Sequence, residues 1–163
     1  MVRELSSFIK VAKIDKFNSF IDILDIIVDM SKQEFFFVME FAAETLDEML
    51  LRLKEAEIGE QVSSNAAKDM IFQILLGLDV MHANNILHRD LKLENILVMP
   101  NGQLKICDFG LAKISHFRQR RKSDTVCTLP YRAPEICLSE ENYGTSVDSW
   151  SMGVIIAEII QKG

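Results

Sequence analysis

The residues best equipped for chemistry sit in His88-Arg89-Asp90-Leu91-Lys92-Leu93-Glu94-Asn95 and, shortly afterwards, in Asp108-Phe109-Gly110. An aspartate such as Asp90 can accept the proton of a hydroxyl group. Asn95 and Asp108 offer hard oxygen ligands of the kind that Mg²⁺ takes. Lys92 supplies a fixed positive charge where negative charge would build up on a transferring group. Together these are the requirements of phosphoryl transfer, in which the protein mainly positions the reactants and neutralises charge.

Such side chains need a frame. Ala67, Met70, Ile71, Ile74, Leu75, Leu78 and Met81 recur at i, i+3, i+4 spacing and predict an amphipathic helix, with Ser63 or Ser64 as its cap. That helix delivers the chain to Ile86-Leu87 and the polar loop. His82 near its end reads as a structural or capping histidine. Beyond Asn95, Ile96-Leu97-Val98-Met99 and Leu104-Lys105-Ile106-Cys107 read as strands joined by a tight turn at Pro100-Asn101-Gly102. This hairpin would hold Asn95 and Asp108 at neighbouring ends.

Further upstream, the stretches from Phe20 to Val28 and from Phe35 to Met39 are β-prone, with Ser31-Lys32-Gln33-Glu34 as a hairpin connection. Leu46, Met49, Leu50 and Leu53 mark a short amphipathic helix, and Leu5, Phe8, Ile9 and Ala12 have helical spacing as well. The segment from Val147 to Glu158 predicts a largely apolar helix buried on most faces.

Composition narrows the partners. The chain has 163 residues, 48% hydrophobic and 26% charged, which suits a globular fold with a real core. A formal net charge of −6 argues against nucleic acid or an anionic membrane as the main partner. No apolar run approaches the roughly 20 residues a spanning helix needs. Met1 leads into Arg3-Glu4 rather than an apolar leader, so the expectation is an intracellular protein, cytoplasmic, nuclear or both. Cys107, Cys127 and Cys137 form no C-x-x-C pair, as expected for small buried hydrophobes in a reducing compartment. Cys107 directly precedes Asp108, which leaves a thiol near a bound nucleotide as the alternative.

The polar loop resembles the H-R-D-L-x-x-x-N catalytic loop of protein kinases, and Asp108-Phe109-Gly110 resembles their D-F-G. Ala133-Pro134-Glu135 is the third element, in the right order. Thr128-Leu129-Pro130-Tyr131-Arg132-Ala133-Pro134-Glu135 is similar to the T-x-W-Y-R-A-P-E of cyclin-dependent and mitogen-activated kinases. Pro130 replaces the usual tryptophan, which leaves a proline-directed substrate preference open. The stretch from Asp148 to Gly153 resembles the D-x-W-S-x-G helix, whose aspartate braces the catalytic loop.

The resemblance implies an α+β protein-kinase-like fold, with a mostly helical large lobe and a remnant of the small-lobe sheet. It implies a Ser/Thr protein kinase of the cyclin-dependent type (CMGC group), acting in the cell cycle or signalling and using ATP and Mg²⁺. By that likeness Asp90 is the catalytic base and Lys92 stabilises the transferring phosphoryl group. Asn95 and Asp108 hold the metal, and Thr128 bonds Asp90 and Lys92. Met39 is the gatekeeper, and Glu40-Phe41-Ala42 form the hinge whose backbone meets adenine. Arg89 pairs with a regulatory phosphate on Ser123 or Thr125, beside the basic run from His116 to Lys122. Arg3-Glu4 resembles the end of the regulatory helix, with Glu4 either a pairing glutamate or a plain surface residue; the former implies a cyclin-like activating partner.

Several expected pieces have no counterpart in this sequence. No G-x-G pair occurs, so there is no Gly-rich phosphate loop, and no V-A-I-K lysine motif occurs either. Val11-Ala12-Lys13 comes nearest, but leaves no room for a following helix before the hinge. The helices that follow the D-x-W-S-x-G helix are missing, together with the arginine that pairs with Glu135. The expectation is therefore a kinase cut at both ends, with residues 1–41 a partial small lobe and residues 42–163 a partial large lobe. The alternative is an inactive pseudokinase or binding fragment that keeps the large-lobe surface.

Overall fold

The computed structural model describes residues 15–32, 34–55, 62–114, 127–138, 140 and 143–162. The expected first helix, with Arg3 and Glu4, lies outside the described residues, as do the basic run, Ser123 and Thr125.

Two antiparallel strands, β1 (Ile23–Asp29) and β2 (Glu34–Met39), form the expected hairpin, with Ile27 opposite Phe36 and Asp29 opposite Glu34. Asp29 caps the connection by accepting from the Ser31 amide and hydroxyl at 2.9 and 2.6 Å. The residues from Phe20 to Asp22 read as strand in sequence but leave β1. Phe20 instead bridges Ile106 in parallel, and Ile21 N–H donates to Ile106 O at 3.1 Å. Phe20 and Ile21 are buried there, and that burial outweighs continued pairing along the hairpin.

After β2 come β3 (Glu44–Thr45) and helix α1 (Leu46–Glu55). Thr45 and Glu48 cap α1 reciprocally: Glu48 N–H donates to Thr45 Oγ1 at 3.2 Å, and Thr45 N–H donates to Glu48 Oε2 at 2.8 Å. Leu46 and Leu50, one turn apart, bury completely.

Helix α2 (Ser64–Ala83) starts where Ser63 Oγ accepts from Ala66 N–H at 3.2 Å. It buries Ile74, Gly77, Leu78 and Met81. At Gly77 the helix passes so close to the neighbouring strand that an added Cβ would meet Ile106 Cδ1 at 2.9 Å and Ser19 Cβ at 3.1 Å. Leu75 stays 42% exposed, so the buried stripe is narrower than the apolar periodicity suggests.

Strand β4 (Ile86–Leu87) carries the chain into the polar loop, followed by a short 3₁₀ turn (Leu93–Asn95), β5 (Ile96–Val98) and β6 (Leu104–Ile106). β5 lies between β3 and β6, whereas β4 pairs with β7 (Lys113–Ile114). Gly102 takes φ +84° in the β5–β6 turn, a conformation open to glycine without a Cβ penalty. A second 3₁₀ turn (Leu129–Tyr131) and short α3 (Pro134–Cys137) lead to α4 (Ser146–Lys162).

α4 departs from the expectation of burial on most faces. Val147, Asp148, Ser151, Met152, Ile155 and Ile159 are buried, whereas Trp150 and Ile160 are 50% and 66% exposed. Among the described residues its packing partners are α1, α2 and the second 3₁₀ turn, which cover one side.

Candidate active site

The polar loop is shaped from beneath by one buried carboxylate. Asp148, at the start of α4, is fully buried. It accepts from His88 N–H at 2.9 Å and Arg89 N–H at 2.8 Å, and its Oδ2 lies 3.0 Å from His82 Nε2. Two backbone donors on one ionised acceptor make charge-assisted bonds that fix the loop. The geometry is demanding, because Arg89 is held at φ +69°, where a side chain costs conformational energy. His82 is thus structural, as its position at the helix end suggests.

His88 uses both ring nitrogens. Nε2 lies 3.0 Å from Cys107 O, and Nδ1 accepts from Asp90 N–H at 3.3 Å, which places the proton on Nε2. The ring also packs against Phe109, with centroids 5.5 Å apart, and Phe109 in turn meets Phe20 edge-on at 5.6 Å. The loop that carries Asp90 and the segment that carries Asp108 are therefore joined through the core.

Around Asp90 the expected residues converge. Asp90 Oδ1 accepts from both the amide and the hydroxyl of Thr128 at 3.0 Å. Lys92 Nζ donates to Thr128 Oγ1 at 3.3 Å and lies 3.5 Å from Asp90 Oδ2. Asn95 Nδ2 donates to Asp90 O at 2.8 Å and reaches Oδ2 at 3.3 Å. Burial alone would raise the Asp90 carboxyl; the Thr128 hydroxyl and amide and the Lys92 charge outweigh it and hold the group below the ordinary aspartate range.

Asn95 and Asp108 stand at neighbouring ends of the β5–β6 hairpin. Cys107 N–H donates to Asn95 O at 3.0 Å, closing the gap between the two. Asp108 takes φ +59°, and its Oδ1 accepts from Gly110 N–H at 3.1 Å. The Asn95 amide nitrogen is spent on Asp90, which leaves Asn95 Oδ1 and Asp108 Oδ2 as hard oxygen donors. That donor set fits Mg²⁺, which takes one or two protein ligands and keeps water and phosphate for the rest.

Arg89 Nε donates to Leu111 O at 2.6 Å and its Nη1 to Tyr143 Oη at 3.2 Å. Of the residues expected to form the hinge, Phe41 is 78% exposed and Ala42 packs against the core. Glu40 turns its carboxylate to Lys105. Cys107 and Cys127 are not activated thiols: burial pushes them up to about 12 and about 11 respectively, with nearby carboxylates adding to the effect.

Two features escaped the sequence reading. Lys105, only 2% exposed, sits in the middle of β6. Its signal was a lysine between Leu104 and Ile106 in a core strand, a place that requires an acidic partner. Tyr131 is the other: its hydroxyl donates to Glu158 Oε2 at 2.6 Å, and Ser151 Oγ donates to Tyr131 O at 2.8 Å. Burial, reinforced by Glu158, raises the Tyr131 phenol above its usual range, so it acts as a donor only. No local sequence pattern pairs a tyrosine with a glutamate so far along the chain.

An aspartate bonded to a threonine, a lysine beside it and two oxygen-bearing side chains at neighbouring strand ends make an arrangement compatible with phosphoryl transfer. The match to the protein kinase domain family spans residues 2–163, and the chain belongs to that family. It is 50% identical to mitogen-activated protein kinase 7 of Arabidopsis thaliana over 103 residues, 63% of this chain and 28% of that protein. It is 35% identical to cyclin-dependent kinase G-1 of Oryza sativa subsp. indica over 145 residues, and 37% identical to cyclin-dependent kinase G-2 of the same rice over 144. Those matches cover 89% and 88% of this chain, and 20% of each relative. The chain thus spans between a fifth and somewhat over a quarter of the length of the curated relatives it matches.

Proposed function

We propose that this chain carries the catalytic centre of a serine/threonine protein kinase, which moves the γ-phosphoryl group of ATP to a protein Ser or Thr hydroxyl. The observation that carries the reading is the convergence of Thr128, Lys92 and Asn95 on Asp90. In the step, the bond from the γ-phosphorus to the β,γ-bridging oxygen breaks, and a bond from the substrate hydroxyl oxygen forms. Asp90 orients that hydroxyl and takes its proton. As a carboxylate held below its ordinary range it is a weak base, suited to a transition state in which proton transfer comes late. Lys92 lies where it can offset negative charge on the transferring group. Asn95 Oδ1 and Asp108 Oδ2 would hold Mg²⁺, which when bound neutralises charge on the phosphate oxygens.

The same reading assigns residues 1–41 to a partial small lobe and residues 42–163 to a partial large lobe. Glu40, Phe41 and Ala42 contribute backbone to the adenine. A phosphate on Ser123 or Thr125 would dock on Arg89, whose place next to Asp90 favours such control. A cyclin-like subunit would act through Glu4, a role supported by the cyclin-dependent kinases among the relatives. The net charge of −6 supports a protein partner rather than nucleic acid or membrane, and among the described residues no helix is long and apolar enough to cross a membrane. Placement in the cytoplasm, nucleus or both, and a role in signalling or the cell cycle, belong to the proposal.

The rival reading is a binding module without catalysis. Transfer of labelled γ-phosphate to a Ser/Thr peptide separates the two. The wild-type chain should transfer phosphate slowly, and Asp90→Asn should lower that rate by about 10²- to 10⁴-fold. Equal incorporation by both, or none by either, overturns the catalytic reading.

A further inference from the structure

Lys105 lies on β6, three residues before Asp108. A lysine ammonium is rarely buried without partners, because the loss of hydration costs several kcal/mol unless charge and hydrogen bonds replace it. Lys105 finds its replacements in two other parts of the chain. Its Nζ donates to Glu40 Oε1, at the mouth of the hinge segment, and to Asn18 Oδ1 at 3.0 Å. The Asp22 carboxylate stands 3.8 Å away.

Those partners are themselves bound together. Glu40 Oε1 also accepts from Asp22 N–H at 2.9 Å, and Glu40 N–H donates to Asp22 O at 3.1 Å. The segment from Asn18 to Asp22 in turn clamps β6: Ile106 N–H donates to Ser19 O at 2.8 Å, and Gln103 Nε2 reaches Asn18 O at 3.0 Å. Asn18 holds φ +55° in this clamp, a conformation Asn tolerates better than most residues. One ammonium is thus the shared point of the hinge entrance, the 18–22 segment and the strand that ends at Asp108.

We infer that Lys105 is a positioning residue, whose ammonium fixes the Glu40–Ala42 backbone relative to Cys107 and Asp108. A nucleotide held by its base at one end then meets the metal ligand at the other in register. This role rests on the reading of Glu40–Ala42 as the adenine contact and Asp108 as a metal ligand. A buried charge cannot be half-paired without large cost, so the tie either holds or opens, and loosening one end frees the other.

Amide hydrogen exchange on the whole chain tests this without needing nucleotide, so its outcome is separate from that of the phosphoryl-transfer assay. The double variant K105M/E40Q removes both charges together and leaves no unpaired buried ion. Amides of Glu40–Ala43 and of Cys107–Gly110 should both exchange about tenfold faster, a local opening effect, while Leu78–Met81 in α2 keep their rate. Lys105→Arg, which retains a charged donor, should leave both segments slow. Where the double variant fails to fold, Asn18→Gly serves, because it keeps the positive φ and removes only the side-chain acceptor. It should accelerate both segments by a smaller factor. Acceleration of one segment alone, of neither, or of all three together overturns the inference.

Discussion

The polar loop and the β1–β2 hairpin are built on opposite terms. In the loop and beneath it, His88, Asn95 and Asp148 are buried and hydrogen-bonded within the chain. The hairpin pairs its backbone but leaves Leu24, Ile27, Met30 and Phe36 at 65%, 52%, 83% and 50% exposure. An isolated two-stranded ribbon is marginal in water, and apolar side chains on both faces add nothing until something covers them. The site's geometry therefore depends on buried polar bonds to α4 and β6, and hardly at all on the outer faces of the hairpin.

That contrast can be broken most sharply at Asp148. Asp148→Ala leaves two buried amides and His82 without their acceptor, and the expected loss is about 3–5 kcal/mol by denaturant unfolding. A loss under about 1 kcal/mol would mean the loop holds its shape by other means.

A subtler change acts on charge. With its folded value depressed, Asp90 contributes stability that is present above its unfolded value and lost as pH falls through the folded one. The acid limb of the transfer rate should accordingly lie below the ordinary aspartate range. Thr128→Val removes the hydroxyl bond and lets burial count for more, so the limb should move to higher pH. An unmoved limb in the pH–rate profile would show that Thr128 does not tune the carboxylate.

The smallest effect is expected in the hairpin. Phe36→Ser should change the unfolding free energy by no more than about 0.5 kcal/mol, since the side chain is already half in solvent. A cost of several kcal/mol would reveal packing on that face in solution.

Much of this was legible in the sequence where function and local pattern coincide. The strings around Asp90 and Asp108 carry the family resemblance, and the i, i+3, i+4 stripe of α2 and the Pro100-Asn101-Gly102 turn follow from period and turn preference. Long-range polar pairing was not legible. Lys105 meets Glu40 and Asn18 across the fold, Tyr131 meets Glu158, and Phe20 leaves its own strand for Ile106. Such choices are settled by which buried donor needs which acceptor once the chain has packed, and no short window of sequence contains both. The Gly77 approach to Ile106 belongs with them, because an isolated glycine in a helix looks like a weakness until the neighbouring strand is seen.

The central claim is that Asn95 and Asp108 form a metal pair serving a bound nucleotide. Calorimetric titration of the whole chain with ADP, with and without Mg²⁺, tests it most directly. The account predicts that Mg²⁺ tightens ADP binding and that Asp108→Asn abolishes this gain while leaving the metal-free affinity unchanged. Binding that ignores Mg²⁺ in the wild-type chain, or a gain that survives in Asp108→Asn, would contradict it.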